Sequence, residues 1–272
     1  MSNTHIATTF LKGIELLRAF GSESASWTLA DLARRSGYDR ATTRRLCLTL
    51  VAAGLVNQSG RNFALSPRVL TFAGDFLKVN DFGLTVQPVL SQFAEALDGE
   101  ITFAVLDGNQ ALYVARSAVG RSRVSLGMTV GSTLPLLPTA IGRMLLATAP
   151  PDIVPAVVAA LPNERKTSHT ETDAGALCAA IAQARESGHA TVREEYENGV
   201  CGVAVPVGGA GHTLGVVGTS FTLAGTASDE AIADSVSLLH QTAARLQSLH
   251  ALSTWPSADS HWAQWQPSPA AG

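Results

Sequence analysis

Apolar positions between residues 27 and 54 recur at the spacing of two short helices separated by a glycine-containing turn. Thr28 and Asp31 have the spacing of a capping box, which predicts the start of the first helix at this point. Gly37 suits the left-handed conformation that ends a helix, and Asp39 is a good N-cap for the next one. The stretch therefore predicts a helix-turn-helix.

The second of these helices is expected to turn Ala41, Leu46 and Leu50 inward and to leave arginine and threonine side chains outside. Exposed Arg and Thr at the start of such a helix are typical of DNA recognition, because they contact guanine edges, phosphates or a thymine methyl. A pair of surface helices with ordinary solvated arginines is the alternative interpretation. The candidate DNA-binding residues in the helix pair are Thr28, Arg40, Thr42, Thr43, Arg44 and Arg45.

Two short apolar runs follow this helix and favour the DNA-binding interpretation. Leu55-Val56 and Phe63-Ala64-Leu65 flank a polar Ser-Gly turn, which is the pattern of a β-hairpin. Helix, turn, helix and hairpin together predict a winged helix-turn-helix. Arg61 and Asn62 would lie on the wing, within reach of the DNA backbone or minor groove.

Two further helices are expected around this unit. The apolar positions Phe10, Leu11, Ile14, Leu17 and Phe20 form a stripe that should pack behind the helix-turn-helix. Pro67 suits the first turn of a strongly apolar helix that runs to about Leu77. This connecting helix is interpreted as packing against a second copy of the chain, with packing inside one chain as the alternative.

From residue 81 onward, helical periods alternate with β-rich runs, which favours an α+β domain built on a mainly antiparallel sheet. The predicted helices are Val86–Leu97, Thr139–Leu146, Asp152–Ala160, Asp173–Glu186 and Ser228–Leu249. The predicted strands are Ile101–Leu106, Ala111–Ala115, Val124–Leu126, Ala190–Glu195, Val203–Val207 and Leu214–Phe221. The segment 131–138 is expected to be an irregular loop.

Composition and charge narrow the class of protein. The 272 residues, 46% hydrophobic and 15% charged, predict a folded chain of two domains. Residues 1–80 carry ten basic against five acidic side chains, although the formal net charge of the whole chain is −3. A basic first third on an acidic body fits a phosphate-binding module attached to a body that avoids nucleic acid. The sequence shows no leader pattern and no apolar run long enough to span a membrane, and its three cysteines are scattered. These features predict a cytoplasmic protein that does not bind membranes.

The loop before the predicted helix 139–146 is a candidate anion site. Pro135 to Pro138 leads into a helix start, where backbone N–H groups without helical partners favour a carboxylate. Thr139 is expected to add a hydroxyl donor, and the small side chain of Ala140 lets a ligand approach the backbone. Apolar neighbours suit a small aromatic or short-chain acid better than a sugar.

Four stretches of the chain resemble the IclR family of bacterial transcriptional regulators. The stretches FLKGIELLRAF and TLADLARRSGYDRATTRRLCLTLVAAGLV are similar to its winged helix, and GSTLPLLPTAIGRMLLA and REEYENGVCGVAVPV to its effector-domain motifs. The segment DRATTRRLCLTLV is closer to the branch that controls aromatic-acid catabolism. The resemblance covers residues 10–250. It implies a GAF-like effector domain, operator DNA and a small organic acid as partners, and a homodimer or dimer of dimers.

The resemblance also implies a domain order and an effector site. The expected order is a winged helix at 6–66, a connecting helix at 67–82 and a GAF-like domain at 83–252. Residues 253–272, where three tryptophans stand among Pro, Ser and Ala, are expected to be a flexible tail or a weak contact segment. Many relatives carry an acidic residue where this chain has Arg193. Arg193 either faces the pocket and pairs with an acidic ligand, or it is a solvated strand residue. The implied effector-binding residues are Leu136, Thr139, Ala140, Ile141, Arg193, Cys201, Gly202, Thr219 and Phe221.

Other chemistry finds little support in the sequence. The seven histidines and three cysteines show no metal-binding spacing, and no nucleophile elbow or phosphate-binding loop is present, so neither catalytic residues nor a cofactor are predicted. Cys201 is interpreted as a buried thiol, with a redox sensor as the alternative. Two alternatives to a ligand-responsive regulator stay open, namely a hydrolase-type enzyme fused to a DNA-binding module and a dimerisation body without a ligand.

Overall fold

A computed structural model describes residues 6–21, 23–119, 128–209, 211–223, 229–252, 255, 257–263 and 265 of the chain. It divides into two compact units, residues 1–79 and residues 80–272. The predicted strand Val124–Leu126 lies outside the described residues. Among the residues described, no helix has the length and apolar character needed to cross a membrane.

The first unit is a winged helix-turn-helix, as the sequence predicts. Its elements in chain order are α1 (Thr8–Arg18), β1 (Trp27–Thr28), α2 (Leu29–Ser36), α3 (Arg40–Ala52), β2 (Val56–Ser59), β3 (Asn62–Leu65), a 3-10 turn (Pro67–Val69) and α4 (Leu70–Val79). The three strands form an antiparallel sheet in which β3 lies in the centre. The sequence analysis missed β1, since two residues are too few to show an alternation.

The packing of α1 differs from the predicted stripe. Leu16 and Phe20 are buried in the core of the unit, together with residues of α2, α3 and the hairpin. Phe10 is 71% exposed, Leu11 45% and Ile14 39%, so these three side chains do not pack behind the helix-turn-helix. A helical period identifies an apolar face, but it does not show whether the surface that covers this face belongs to the same chain.

The second unit contains a six-stranded antiparallel sheet with the strand order β6-β5-β4-β9-β8-β7. Its strands are β4 (Glu100–Asp107), β5 (Gln110–Ala118), β6 (Thr133–Pro135), β7 (Ala190–Arg193), β8 (Val200–Gly209) and β9 (His212–Thr222). Its helices are α5 (Val86–Leu97), α6 (Ala140–Ala147), α7 (Val154–Ala160), α8 (Ala174–Ser187), α9 (Asp229–Gln247) and α10 (Ala258–Trp262). Helices α5 and α9 pack on one face of the sheet, and α6 packs on the other with α8 behind it.

The segment after α9 is folded against the second unit where the structure describes it, so the expectation of a flexible tail is wrong for these residues. Trp262 is buried in the core on the α6 side of the sheet, and its indole donates to the Thr148 hydroxyl at 3.1 Å. The Trp255 ring stacks on Phe82 at a centroid distance of 4.9 Å. The composition of this segment, rich in Pro, Ser and Ala, suggested disorder. Burial of the large apolar tryptophan side chains instead stabilises a folded conformation.

Candidate DNA-binding and effector sites

Local capping fixes the two helices of the helix-turn-helix. Thr28 accepts from the Asp31 N–H and the Asp31 side chain accepts from the Thr28 N–H, which completes the predicted capping box. Gly37 ends α2 in the left-handed conformation with φ of 71°. The Asp39 carboxylate accepts from the Thr42 hydroxyl at 2.7 Å and from the Thr42 N–H at 2.8 Å, and these two hydrogen bonds hold the pKa of Asp39 below its usual range.

The outward face of α3 carries three of the five residues predicted there. Arg40, Arg44 and Arg45 are exposed, whereas the half-buried Thr42 donates its hydroxyl to the Asp39 carboxylate at 2.7 Å. Thr43 is fully buried and donates to the Asp39 carbonyl at 2.9 Å, so its placement at the DNA surface is wrong.

The helical period explains this reversal at the start of α3. With about 100° between successive residues, the buried positions Leu46 and Leu50 require Thr43 rather than Ala41 on the same face. Ala41 is therefore exposed, contrary to the prediction.

The remaining DNA candidates lie around the three-stranded sheet. Arg61 is at the tip of the β2–β3 hairpin and Asn62 begins β3, and both are exposed as a wing requires. The Thr28 hydroxyl lies 2.6 Å from an Asp31 carboxylate oxygen, so the capping box already engages it. Arg61 and Asn62 are consequently better placed to reach a DNA backbone than Thr28.

The second unit contains a cavity of about 110 Å³ between the start of α6 and the sheet. This volume is smaller than the roughly 150 Å³ of an apolar cavity that holds benzene, but the cavity is partly open to solvent. Most of the lining is apolar, with polar groups at defined points. The lining residues are Glu100, Thr102, Tyr113, Met128, Leu134, Pro138, Thr139, Ala140, Ile141, Val192, Glu194, Glu195, Tyr196, Glu197, Val200, Gly202, Gly218, Thr219 and Ser220.

The helix start at the cavity is partly self-capped. The Thr139 hydroxyl accepts from the Gly142 N–H at 3.1 Å and donates to the Pro135 carbonyl at 2.7 Å. The expected role of Thr139 as a hydroxyl donor to a ligand is therefore wrong, because its proton is already used. The N–H groups of Ala140 and Ile141 belong to the first turn of α6, and an N–H there has no helical acceptor.

Close packing keeps this helix start against the sheet. An idealised Cβ atom on Gly202 would lie 3.3 Å from the Ala140 Cβ and 4.0 Å from its nitrogen. A side chain at Gly202 would therefore fill the space in front of the Ala140 N–H.

Five of the nine predicted effector residues line the cavity, namely Thr139, Ala140, Ile141, Gly202 and Thr219. Cys201 and Phe221 do not, because they pair with each other across β8 and β9 and successive strand residues face opposite sides of a sheet. Burial raises the pKa of the Cys201 thiol, which disfavours the reactive thiolate that a redox sensor needs.

The two other predicted residues lie outside the cavity lining. Leu136 is buried where α6 packs on the preceding loop, as its backbone lies against Gly142. Arg193 pairs with the Asp229 carboxylate at 3.0 Å, and its side chain is 43% exposed. Of the two interpretations of Arg193, the solvated strand residue is the one that matches this position.

Two partly buried ion pairs lie beside the cavity, and neither was predicted from the sequence. The Arg116 and Glu100 side chains meet at 2.5 Å, and the Arg143 and Glu195 side chains also meet at 2.5 Å. Arg143 additionally donates to the Leu137 carbonyl at 2.8 Å, which ties α6 to the loop before it. Strand spacing alone could not reveal these pairs, since their partners are 16 and 52 positions apart in the chain.

Glu194 and Glu195 fall within the predicted strand Ala190–Glu195, where adjacent side chains would lie on opposite faces. Strand β7 ends at Arg193, and Glu194 has φ of 58°, so both glutamates follow the strand and both line the cavity. Glu195 is held by Arg143, and Glu194 accepts from the Gly199 N–H at 2.8 Å. Among the described residues, no group of three His, Cys, Asp or Glu side chains could hold a metal ion.

A winged helix-turn-helix with arginines on its second helix, joined in one chain to a domain with a largely apolar cavity, is typical of a ligand-responsive DNA-binding protein. The chain belongs to the IclR family of bacterial transcriptional regulators. The model of the IclR helix-turn-helix domain matches residues 10–60, and that of the bacterial transcriptional regulator IclR C-terminal domain matches residues 76–247.

Named relatives and solved structures agree with this family. The chain is 32% identical to the Pca regulon regulatory protein of Pseudomonas putida over 74% of this chain and 69% of that protein. It is 30% identical to the p-hydroxybenzoate hydroxylase transcriptional activator of Acinetobacter baylyi over 72% of this chain and 74% of that protein. A solved structure from Rhodococcus sp. RHA1 has 32% identity and a TM-score of 0.73 over 92% of this chain and 99% of its own.

One solved structure of a relative contains an aromatic acid. It is a double mutant of the PobR inducer-binding domain from Acinetobacter in complex with 3-hydroxybenzoic acid. This domain is 28% identical to the chain, covers 60% of this chain and 95% of its own, and has a TM-score of 0.54.

Proposed function

We propose that this transcriptional regulator responds to a small aromatic carboxylic acid that binds in the cavity at the start of α6. The observation that carries the proposal is the partly open, largely apolar cavity that the first turn of this helix lines. A helix start stabilises an anion by about 0.3–1 kcal/mol when exposed and up to roughly 2 kcal/mol when partly buried. The relatives named for the Pca regulon and for p-hydroxybenzoate hydroxylase support an aromatic acid.

Arginines neutralise two of the four glutamates that line the cavity. Glu100 and Glu195 each lie 2.5 Å from an arginine, whereas Glu194 accepts from the Gly199 N–H and Glu197 is exposed. The Tyr113 phenol stays protonated, because burial and the Glu100 charge raise its pKa. In this proposal an aromatic ring would pack between lining residues such as Ile141 and Tyr196, with its carboxylate toward Ala140.

The first unit would bind operator DNA through the exposed arginines of α3 and through the wing. One such module offers a small interface, so two are expected to bind a near-palindromic operator in the cytoplasm. Large apolar side chains exposed on α1 and α4 support a homodimer or a dimer of dimers held through this unit. The acid would act by preferring one arrangement of the DNA-binding units, because a ligand with equal affinity for two states shifts neither.

Gly202→Val tests the cavity. The larger side chain would occupy the space before the Ala140 N–H, so the affinity for benzoate and 4-hydroxybenzoate in isothermal titration should fall at least about tenfold. Operator binding by the unliganded variant should be unchanged. Gly209→Val is the matched control, since an added Cβ there meets nothing within 4 Å and acid binding should persist. Unchanged affinity in Gly202→Val would place the effector elsewhere.

Incubation of the wild-type protein with the same acids distinguishes a regulator from an enzyme. A regulator returns the acid unchanged, so chromatography of the acid after long incubation with the wild-type protein should recover all of it. Loss of the acid together with a new product would favour the hydrolase-type alternative. A protein that binds none of a broad set of organic acids would favour the dimerisation body without a ligand.

A further inference from the structure

A second cavity, of about 240 Å³, adjoins the proposed effector cavity. It lies between the β4–β5 hairpin, the loop before α6 and the loop after α7, with Gln110, Leu136 and Leu161 among its lining residues. Its volume exceeds the roughly 150 Å³ of an apolar cavity that holds benzene, so it has room for an aromatic ring. The proposed function assigns no role to this cavity.

Two residues form the wall between the two cavities, since Pro138 and Tyr196 line both of them. Pro138 is buried and stands directly before Thr139, the N-cap of α6, so the start of the helix fixes its position. Tyr196 is half-buried and packs against the core on the α6 side of the sheet. The Tyr196 phenol is the larger side chain of the two, and its removal would join the cavities.

Two buried threonines hold the backbone directly before Tyr196. The Thr167 hydroxyl donates to the Glu194 carbonyl at 2.6 Å, and the Thr170 hydroxyl donates to the Glu195 carbonyl at 2.6 Å. Thr167 is 8% exposed and Thr170 is 3% exposed. Each hydroxyl also accepts from a backbone N–H of its own turn, which leaves its proton for the carbonyl.

The Glu195 side chain ties the same segment to α6. Its carboxylate lies 2.5 Å from the Arg143 guanidinium and accepts from the Glu171 N–H at 2.9 Å. A shift of the backbone at Tyr196 would therefore break several buried hydrogen bonds, and leaving their partners unpaired is costly. We expect a bound ligand to meet Tyr196 as a fixed wall.

We propose that Tyr196 is a specificity-determining residue that limits the effector to acids with a single ring. The inference rests on the proposed function, because it assumes that an aromatic acid occupies the cavity at the start of α6. A second ring that extends from this acid toward the other cavity would overlap the Tyr196 phenol, and binding sites select ligands through such clashes as well as through attraction. Without the phenol, the second ring would enter the second cavity.

Benzoate and its 2-, 3- and 4-phenyl derivatives test the proposal in isothermal titration. The wild type should bind benzoate at least about tenfold more tightly than each phenylbenzoate, because extra volume in a packed site is penalised. In Tyr196→Ala, the affinity of at least one phenylbenzoate relative to benzoate should rise at least about tenfold. Unchanged ratios for all three, or a wild type that binds a phenylbenzoate as tightly as benzoate, would overturn the role of Tyr196 and leave acid sensing intact. A wild type that binds neither benzoate nor 4-hydroxybenzoate would overturn the proposed function as well.

Further variants assign the effect to the phenol ring and to the second cavity. Tyr196→Phe keeps the ring and should keep the wild-type ratios. Gln110→Trp fills the second cavity from an exposed position at the start of β5, so its addition to Tyr196→Ala should remove the gain. Gln110→Trp alone should bind benzoate as the wild type does, since Gln110 does not line the effector cavity. If Tyr196→Ala does not fold, Tyr196→Leu keeps an apolar side chain against the core and should show the same gain. A gain in Tyr196→Phe, or one that persists after the addition of Gln110→Trp, would overturn the proposal.

Discussion

At the scale of single residues, some side chains at the start of α3 face outward, whereas others stabilise the start of the helix. Asp39 and Thr43 hold the helix start through hydrogen bonds, whereas Arg40, Arg44 and Arg45 extend from it. Thr43 could not be placed from residue type alone, because threonine is common both in DNA contacts and in buried helix positions that bond to a carbonyl one turn earlier.

Arg44→Ala should weaken operator binding by about 1–3 kcal/mol, roughly 5- to 150-fold, if Arg44 contacts a base. Thermal stability should be unchanged, since Arg44 is exposed. The measurement is fluorescence anisotropy at physiological salt, on a duplex selected from a randomised library with the wild-type protein. Arg245→Ala removes an equally exposed arginine from the second unit and should leave the affinity as it is. Full affinity in Arg40→Ala, Arg44→Ala and Arg45→Ala alike would mean that α3 is not the recognition helix.

At the scale of elements, the local pattern predicted most helices and strands, since each shows a period of its own. Helix α5 was predicted over the residues it occupies, and α6, α8 and α9 within a few residues of their ends. The cavity was predicted less well because it is assembled by register between distant strands. Glu100 at a strand start gives no signal in the sequence, and Cys201 was assigned to the face that its neighbour Gly202 occupies.

The junction between α6 and the loop before it depends on one glycine. An idealised Cβ on Gly142 would lie 2.3 Å from both the Leu136 Cα and its carbonyl oxygen, which no side-chain adjustment relieves. This close approach leaves no room for a side chain, which explains the presence of a glycine inside an eight-residue helix. It also fixes the height of the first turn above the sheet, and with it the anion position of the proposed site.

Gly142→Ala should therefore lower the free energy of unfolding of the second unit by about 1–3 kcal/mol or more, because the clash is with backbone. Gly13→Ala on α1 is the matched control, since its added Cβ meets nothing within 4 Å. There, the gain in helix propensity should leave stability unchanged or raise it by about 0.5–1 kcal/mol. Calorimetric melting of both variants distinguishes them, and equal stability of Gly142→Ala and the wild type would contradict the packing argument.

At the scale of the whole molecule, the two units differ in net charge and in the number of large apolar side chains that they expose. The first carries the excess of basic side chains and exposes large apolar groups on α1 and α4, whereas the described part of the second exposes fewer large apolar groups, with Leu84 and Val130 among them. Leu70 is 67% exposed and Phe72 is 65% exposed, and apolar groups of this size on a surface are typical of an interface. The sequence predicted the apolar character of this helix and left its partner open.

The combined variant Leu70→Glu and Phe72→Glu should dissociate the assembly that we propose. Both side chains are exposed in the single chain, so circular dichroism and melting of the isolated subunit should change little. In an interface, however, two buried carboxylates without partners would be prohibitive. Analytical ultracentrifugation at micromolar concentration should show a dimer or tetramer for the wild type and a smaller species for the variant. Affinity for a two-half-site operator should fall in parallel, because one module alone binds weakly.

Val130→Glu introduces the same charge at an exposed apolar position of the second unit and should leave the assembly intact. A wild-type protein that sediments as a monomer, or a double variant that assembles as the wild type does, would show that α4 does not hold the copies together.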